Sequence, residues 1–219
     1  MSQSVVITGG QGSLAQAIAQ YLAVVEPTWD VVCPGREDMD VTSEASISQF
    51  LKNRSCDLLI AAAGEIADGP LAKTSSVGWD RLMQSNLRGA AFAAKAVSKF
   101  MLKQRSGHVI FIGSYSGIHP PAGQVMYASA KAALAGLTKS LAREWGSANI
   151  RVNLILPGFL ENRMTTHVSD HRKEQVLQQH CLRRYNTESC VAAFVHALHA
   201  QLPHTSGQIF NLDSRILAD

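Results

Sequence analysis

The sequence predicts an α/β fold, a doubly wound parallel sheet with helices on both faces, and three observations carry that expectation. Short apolar, β-branched runs alternate with helix-period segments, the first run ends in a glycine-rich turn that opens a helix, and no repeat, low-complexity tract or Pro/Gly/Ser linker breaks the alternation. Strands separated by helices line up in parallel, with the crossovers packed on the sheet faces. One domain over residues 1–219 is therefore expected.

The elements follow in order. Val5–Ile7 reads as a buried strand, and the apolar spacing from Leu14 to Val25 as the helix after the glycine-rich turn. Val31–Cys33 is a second strand, Glu44–Lys52 a helix, and Leu58–Ala61 a third strand, apolar throughout. A long helical stretch from Val77 to Lys103 contains Gly89; strand Val109–Ile112, helix Tyr127–Trp145 and strand Val152–Leu156 come next. Two helical patches and a last strand, Ile209–Leu212, complete the pattern. The least regular segment, Glu161–Tyr185, carries five Arg and Lys residues and is expected to form a substrate lid.

Composition narrows the function. Hydrophobic residues at 46% and charged residues at 17% give enough apolar material for a core and too little charge for a disordered chain. The net charge of +3 is spread along the chain, unlike the basic stripe of a nucleic-acid binder. No stretch approaches the ~20 apolar residues of a membrane span and no charged leader precedes an apolar run, so a cytoplasmic protein is expected. Cys33, Cys56, Cys181 and Cys190 form no metal-ligand spacing, and His119, His167, His171 and His180 read as surface or loop residues.

Two constellations carry chemistry. In Thr8-Gly9-Gly10-Gln11-Gly12-Ser13-Leu14-Ala15, glycines between strand and helix let backbone amides approach a pyrophosphate, with the helix N-terminus behind them. Further on, Tyr127 and Lys131 stand four residues apart and share one helix face. A nearby ammonium favours a phenolate, so Tyr127 is expected to titrate below its usual range and act as acid and base. Ser114, ending the preceding strand, is placed to hydrogen-bond a substrate oxygen as charge builds on it.

Thr8–Ala15 together with Ser114, Tyr127 and Lys131 resembles the short-chain dehydrogenase/reductase family, and the likeness runs from Val5 to Asp213. It departs in two glycine positions, now Ser13 and Ala15, and in Ala61-Ala62-Ala63-Gly64, where the family has Asn-Asn-Ala-Gly. The resemblance implies a Rossmann-like sheet of about six strands in the order 2-1-3-4-5-6, one helix and one strand having been lost after the second strand. It implies catalytic roles for Ser114, Tyr127, Lys131 and Asn86, with Lys131 holding a ribose and Asn86 positioning a water. The implied cofactor contacts are Gly9, Gln11, Gly12, Ser13, Leu14, Arg36, Asp40, Val41, Ala62, Ala63, Gly64, Pro157 and Gly158, besides Tyr127 and Lys131.

Arg36 stands where the family binds the extra phosphate of NADP, and Gly35 where NAD enzymes carry an acid, which favours NADP(H); in the NAD(H) alternative Glu37 or Asp38 holds the ribose diol. The reaction implied is hydride transfer between nicotinamide and a carbonyl or secondary alcohol, without a metal. Gly123–Tyr127 and Gly136–Glu144 look most like 3-oxoacyl carrier-protein reductases. A small carbonyl substrate, carried on an acidic acyl-carrier protein or CoA, would suit the basic segment 161–185, and a homodimer or homotetramer is implied. Reduction of another ketone or sugar, and a non-catalytic NADP(H)-sensing protein, remain the alternatives.

Overall fold

The computed structural model describes residues 2–216. Six parallel strands, β1 (Ser4–Thr8), β2 (Asp30–Val32), β3 (Leu58–Ala61), β4 (Gly107–Ile112), β5 (Ile150–Leu156) and β6 (Ile209–Asn211), form one sheet in the order β2-β1-β3-β4-β5-β6. The helices are α1 (Ser13–Val25), α2 (Glu44–Leu51), α3 (Ser76–Met83), α4 (Gly89–Gln104), α5 (Val125–Trp145), α6 (Asp170–Gln179) and α7 (Glu188–Ala200).

Successive side chains of a strand point to opposite faces, and in the central strands both faces are buried, which is why those strands are mostly apolar. Val6, Leu59, Val109, Phe111, Val152 and Leu154 pack with α2, α4 and α5. Val5, Ile7, Leu58, Ile60, Ile110 and Ile112 pack with α1 and α7 on the other side. Strand order reverses between β1 and β3, and at such a switch point the loops at the carboxyl ends part and leave a crevice.

Two expectations change in detail. The helical run from 76 to 104 contains one widened, π-type turn at Gln84–Arg88, which resets the faces of α3 and α4 and carries Asn86 inward. Gly89 follows it because a Cβ there would lie 2.7 Å from the carbonyl oxygen of Val41. The segment 161–185, expected to be irregular, includes α6, which Ser169 caps by accepting from the amide of Arg172.

Candidate active site

The nucleotide end is shaped by close backbone approach. Gly9 has φ +80°, and a Cβ there would lie 2.7 Å from Cα of Ala63, so the loop after β1 and the loop after β3 touch. Thr8 Oγ1 accepts from the amide of Ala63 at 3.0 Å and ties the two strand ends together. In α2, α3, α6 and α7 a Ser or Thr side chain caps the N-terminus; α1 begins after Gly12, with no side-chain cap. Its first amides are therefore left for an anion, in the direction the helix dipole favours.

Beyond β2 the exposed Arg36 lies 3.4 Å from Asp40, whose other oxygen accepts from the amide and hydroxyl of Thr42. Those bonds and the arginine hold the Asp40 carboxyl below its usual range against a burial effect that acts the other way. Neither Glu37 nor Asp38 lines the cavity that Arg36 and Asp40 border.

At the reactive end, Ser114 follows β4 and opens a 3-10 turn, Tyr115–Gly117, accepting from the amide of Ser116 at 3.2 Å. Tyr127 and Lys131 sit on successive turns of α5, and Lys131 Nζ donates to the carbonyl of Ile112 at 2.9 Å while lying 5.8 Å from the Tyr127 ring centroid. Both are buried. Burial pushes the lysine down from 10.5 to about 8 and the tyrosine up, the Ser114 hydroxyl pulling the phenol down and Asp68 adding to the rise. The expected lowering of Tyr127 is thus corrected for the protein alone: removal from water outweighs the pull of the Ser114 hydroxyl, and the phenol keeps its proton at neutral pH.

Asn86 comes from the widened turn, fully enclosed; its amide donates to the carbonyls of Glu65 at 2.9 Å and Leu82 at 3.1 Å. Its Oδ1 has no hydrogen-bond partner among the described residues. A Cβ on Gly64 would stand 2.6 Å from that oxygen and 3.5 Å from Lys131 Nζ, so the missing side chain lets the two polar groups face one spot.

One cavity of about 730 Å³ at the carboxyl ends of the strands gathers the sequence-derived residues: Gly9, Gln11 to Leu14, Arg36, Asp40, Val41, Ala62 to Gly64, Ser114, Tyr127, Lys131, Pro157 and Gly158. Asn86 lies behind the wall. The cavity also takes in residues that motif reading passed over. Arg163 Nη2 donates to the carbonyl of Gln11 at 3.0 Å, joining segment 161–185 to the glycine-rich loop. Gln124, three residues before Tyr127, donates to Asp68 at 2.9 Å, and His167 stands 3.8 Å from the same carboxylate. Arg215, close to the C-terminus, forms part of the wall beside Tyr115. His180, expected at the surface, is fully buried. Arg163 and His167 fall in the segment read as a lid and Gln124 in the Gly123–Tyr127 motif, whereas no sequence signal marks Arg215, which reaches the wall from a distant part of the chain. Among the described residues no three His, Cys, Asp or Glu side chains are grouped to hold a metal, and no helix is long and apolar enough to cross a membrane.

The sequence and the fold both have relatives. The family model described as short chain dehydrogenase matches residues 35–173. The chain is 32% identical over 216 residues to the 3-oxoacyl-(acyl-carrier-protein) reductase FabG of Aquifex aeolicus (strain VF5), covering 96% of this chain and 86% of that protein. It is 37% identical over 171 residues to the FabG of Escherichia coli (strain K12), covering 75% of this chain and 66% of the other. Among solved structures, an oxidoreductase of the short-chain dehydrogenase/reductase family from Burkholderia thailandensis superposes with a TM-score of 0.89 at 24% identity, over 100% of this chain and 94% of that one. A structure described as ElxO with NADP bound gives 0.86 at 23% identity, covering 98% of each chain. At these identities the structural likeness is one of fold.

Proposed function

The chain belongs to the short-chain dehydrogenase/reductase family, and from that premise we propose that it is an NADP(H)-dependent reductase whose Tyr127 passes a proton to the carbonyl it reduces. The observation that carries the reading is the convergence of Ser114, Tyr127 and Lys131 with the glycine-rich loop on one cavity.

The residues present fit a dinucleotide. The uncapped start of α1 offers amides to a diphosphate, Gly9 and Ala63 keep the floor free of side chains, and Arg36 supplies a cation where a ribose phosphate would lie. With Glu37 and Asp38 off the cavity, that end favours NADP(H) over NAD(H). Bound NADPH supplies the hydride. Every other step falls to the chain. Ser114 donates a hydrogen bond from its hydroxyl to the carbonyl oxygen, keeping its proton, and holds that oxygen against Tyr127. The buried phenol, protonated at neutral pH, gives its proton to that oxygen as negative charge develops. Lys131, charged at neutrality, steadies the phenolate left behind, and Asn86 Oδ1 accepts from a water that returns a proton through Lys131.

The finer reading takes the relatives' substrate as its guide: a 3-oxoacyl thioester on an acidic carrier protein or CoA, approached across the basic lid at 161–185. A homodimer or homotetramer would form through α4 and α5, where the small residues Ser129, Ala132, Ala133 and Gly136 of α5 are left accessible for close packing.

The decisive assay follows nicotinamide absorbance with NADPH against 3-oxoacyl thioesters and simple ketones. Tyr127→Phe should lower kcat by about 10²- to 10⁴-fold, the usual worth of a positioned acid, while NADPH still binds. Tight NADPH binding without turnover on any carbonyl would overturn the reductase reading in favour of nucleotide sensing.

A further inference from the structure

We propose that the carbonyl substrate is a free oxo acid in place of the thioester and that Arg215 is the residue that receives its carboxylate; this rests on the reductase reading and assigns the same site another substrate class. After β6 the chain turns back over the carboxyl ends of the strands, bringing Arg215 against the active-site wall formed by Ser114, Tyr115 and Gly158. Its side chain is only 8% exposed. The guanidinium carbon lies 3.5 Å from the centroid of the Tyr115 ring, a stacked position.

Asp213 fixes the plane of that guanidinium. Its fully buried carboxylate accepts from Arg215 Nε at 2.8 Å, from Nη2 through the same oxygen, and from the Arg215 amide at 3.0 Å. Asp213 is itself clamped against Gly158 (φ +85°), where a Cβ would lie 2.5 Å from the aspartate Cβ. His180 packs against the same carboxylate, its Nε2 3.5 Å from Asp213 Oδ2 and without a hydrogen-bond partner among the described residues, while Nδ1 donates to the carbonyl of Val176 at 2.7 Å.

The Nη1 edge of Arg215 has no protein partner among the described residues, and the side chain borders the cavity. The acids of the same wall are engaged elsewhere, Asp40 with Arg36 and Glu65 with both Arg81 Nε and Nη2. A stacked, carboxylate-braced arginine with an open edge, held out of water beside the reacting groups, is preorganised for an anion. Its neighbours are the groups that handle the carbonyl, whereas the diphosphate cradle lies at Gly9–Leu14. The ligand it suits is therefore the carboxylate of an oxo acid.

The test pairs 2-oxo and 3-oxo acids with their methyl esters as substrates with NADPH, for the wild type and Arg215→Met, and measures calorimetrically the binding of oxamate, a non-reducible oxo-acid mimic, to the NADP⁺-loaded protein. The wild type should prefer each acid over its ester by about 10- to 100-fold in kcat/KM, the worth of one charge-assisted bond, and Arg215→Met should remove oxamate binding and cost the acid about 10- to 100-fold more than the ester. Equal losses on acid and ester would make Arg215 an anchor for the chain end and overturn the proposal. So would ester turnover in the wild type with no acid preference and no oxamate binding, which leaves the reductase reading standing. Oxamate bound through Arg215 without turnover of any substrate would uphold the anion site and overturn the reductase reading.

Discussion

Replacing Lys131 by methionine is expected to stabilise the protein while it abolishes turnover. The ammonium is taken out of water by the first turns of α5 and the end of β4, and its pKa falls from 10.5 to about 8 through burial alone. At about 1.4 kcal/mol per unit, keeping it charged at neutral pH costs the fold about 3 kcal/mol. The bond to the Ile112 carbonyl returns about 1 kcal/mol of that. Lys131→Met, similar in length and apolar, should therefore gain about 2 kcal/mol in urea unfolding at pH 7. Between pH 8 and 10.5 the unfolded chain holds the lysine proton and the folded chain does not, so wild-type stability should rise with pH through that window. The variant should lack this rise and should reduce no carbonyl. A destabilised Lys131→Met at pH 7, or the same slope above pH 8 in both proteins, would refute the burial argument.

Two other outcomes follow from the geometry. Arg36→Met should raise the Kd for NADPH by about 10- to 100-fold, the worth of a charge-assisted contact, and leave NADH nearly unaffected; fluorescence titration of both cofactors reads it directly. At the opposite end of the sheet, His108 and His199 meet through their Nδ1 atoms at 3.1 Å, Asn153 donates to His108 Nε2 at 3.0 Å, and His199 Nε2 faces Gln3 Oε1 at 2.5 Å. This chain is satisfied with both rings neutral, and burial lowers His199 from 6.5 to about 4 and His108 well below 6.5. The unfolded chain takes up the His199 proton as pH falls through 6.5 while the folded chain does not until about 4, so about 2 kcal/mol of stability should be lost between pH 7.5 and 5 from this ring. His199→Gln, which keeps a hydrogen-bonding side chain, should flatten that part of the urea-denaturation profile; an unchanged slope would assign the acid sensitivity elsewhere.

Most of the architecture was legible in the sequence. Strands buried on both faces read as near-continuous apolar runs, and helices between them repeat with their own period, so Val5–Ile7, Leu58–Ala61 and Val109–Ile112 declared a parallel sheet. The glycine-rich loop, Ser114, Tyr127 and Lys131 were equally visible, because a phosphate cradle and an i, i+4 pair on one helix are local requirements. Strand order came from the family resemblance, and the structure agrees with it.

Other features depended on contacts between distant parts of the chain. The direction in which Tyr127 titrates follows from how completely α5 and its neighbours exclude water, which spacing on one helix does not specify. The widened turn that aims Asn86 at Lys131 depends on α4 packing against the Val41 carbonyl. His180, Asp213 and Arg215 form one buried cluster under Tyr115 only because the chain folds back after β6. The sequence by itself determined the alternating fold class and the motifs expected to carry chemistry, whose rules are periodic and local; tertiary structure alone decided charge, burial and the wall of the cavity, because desolvation and ion pairing depend on what surrounds a side chain in space.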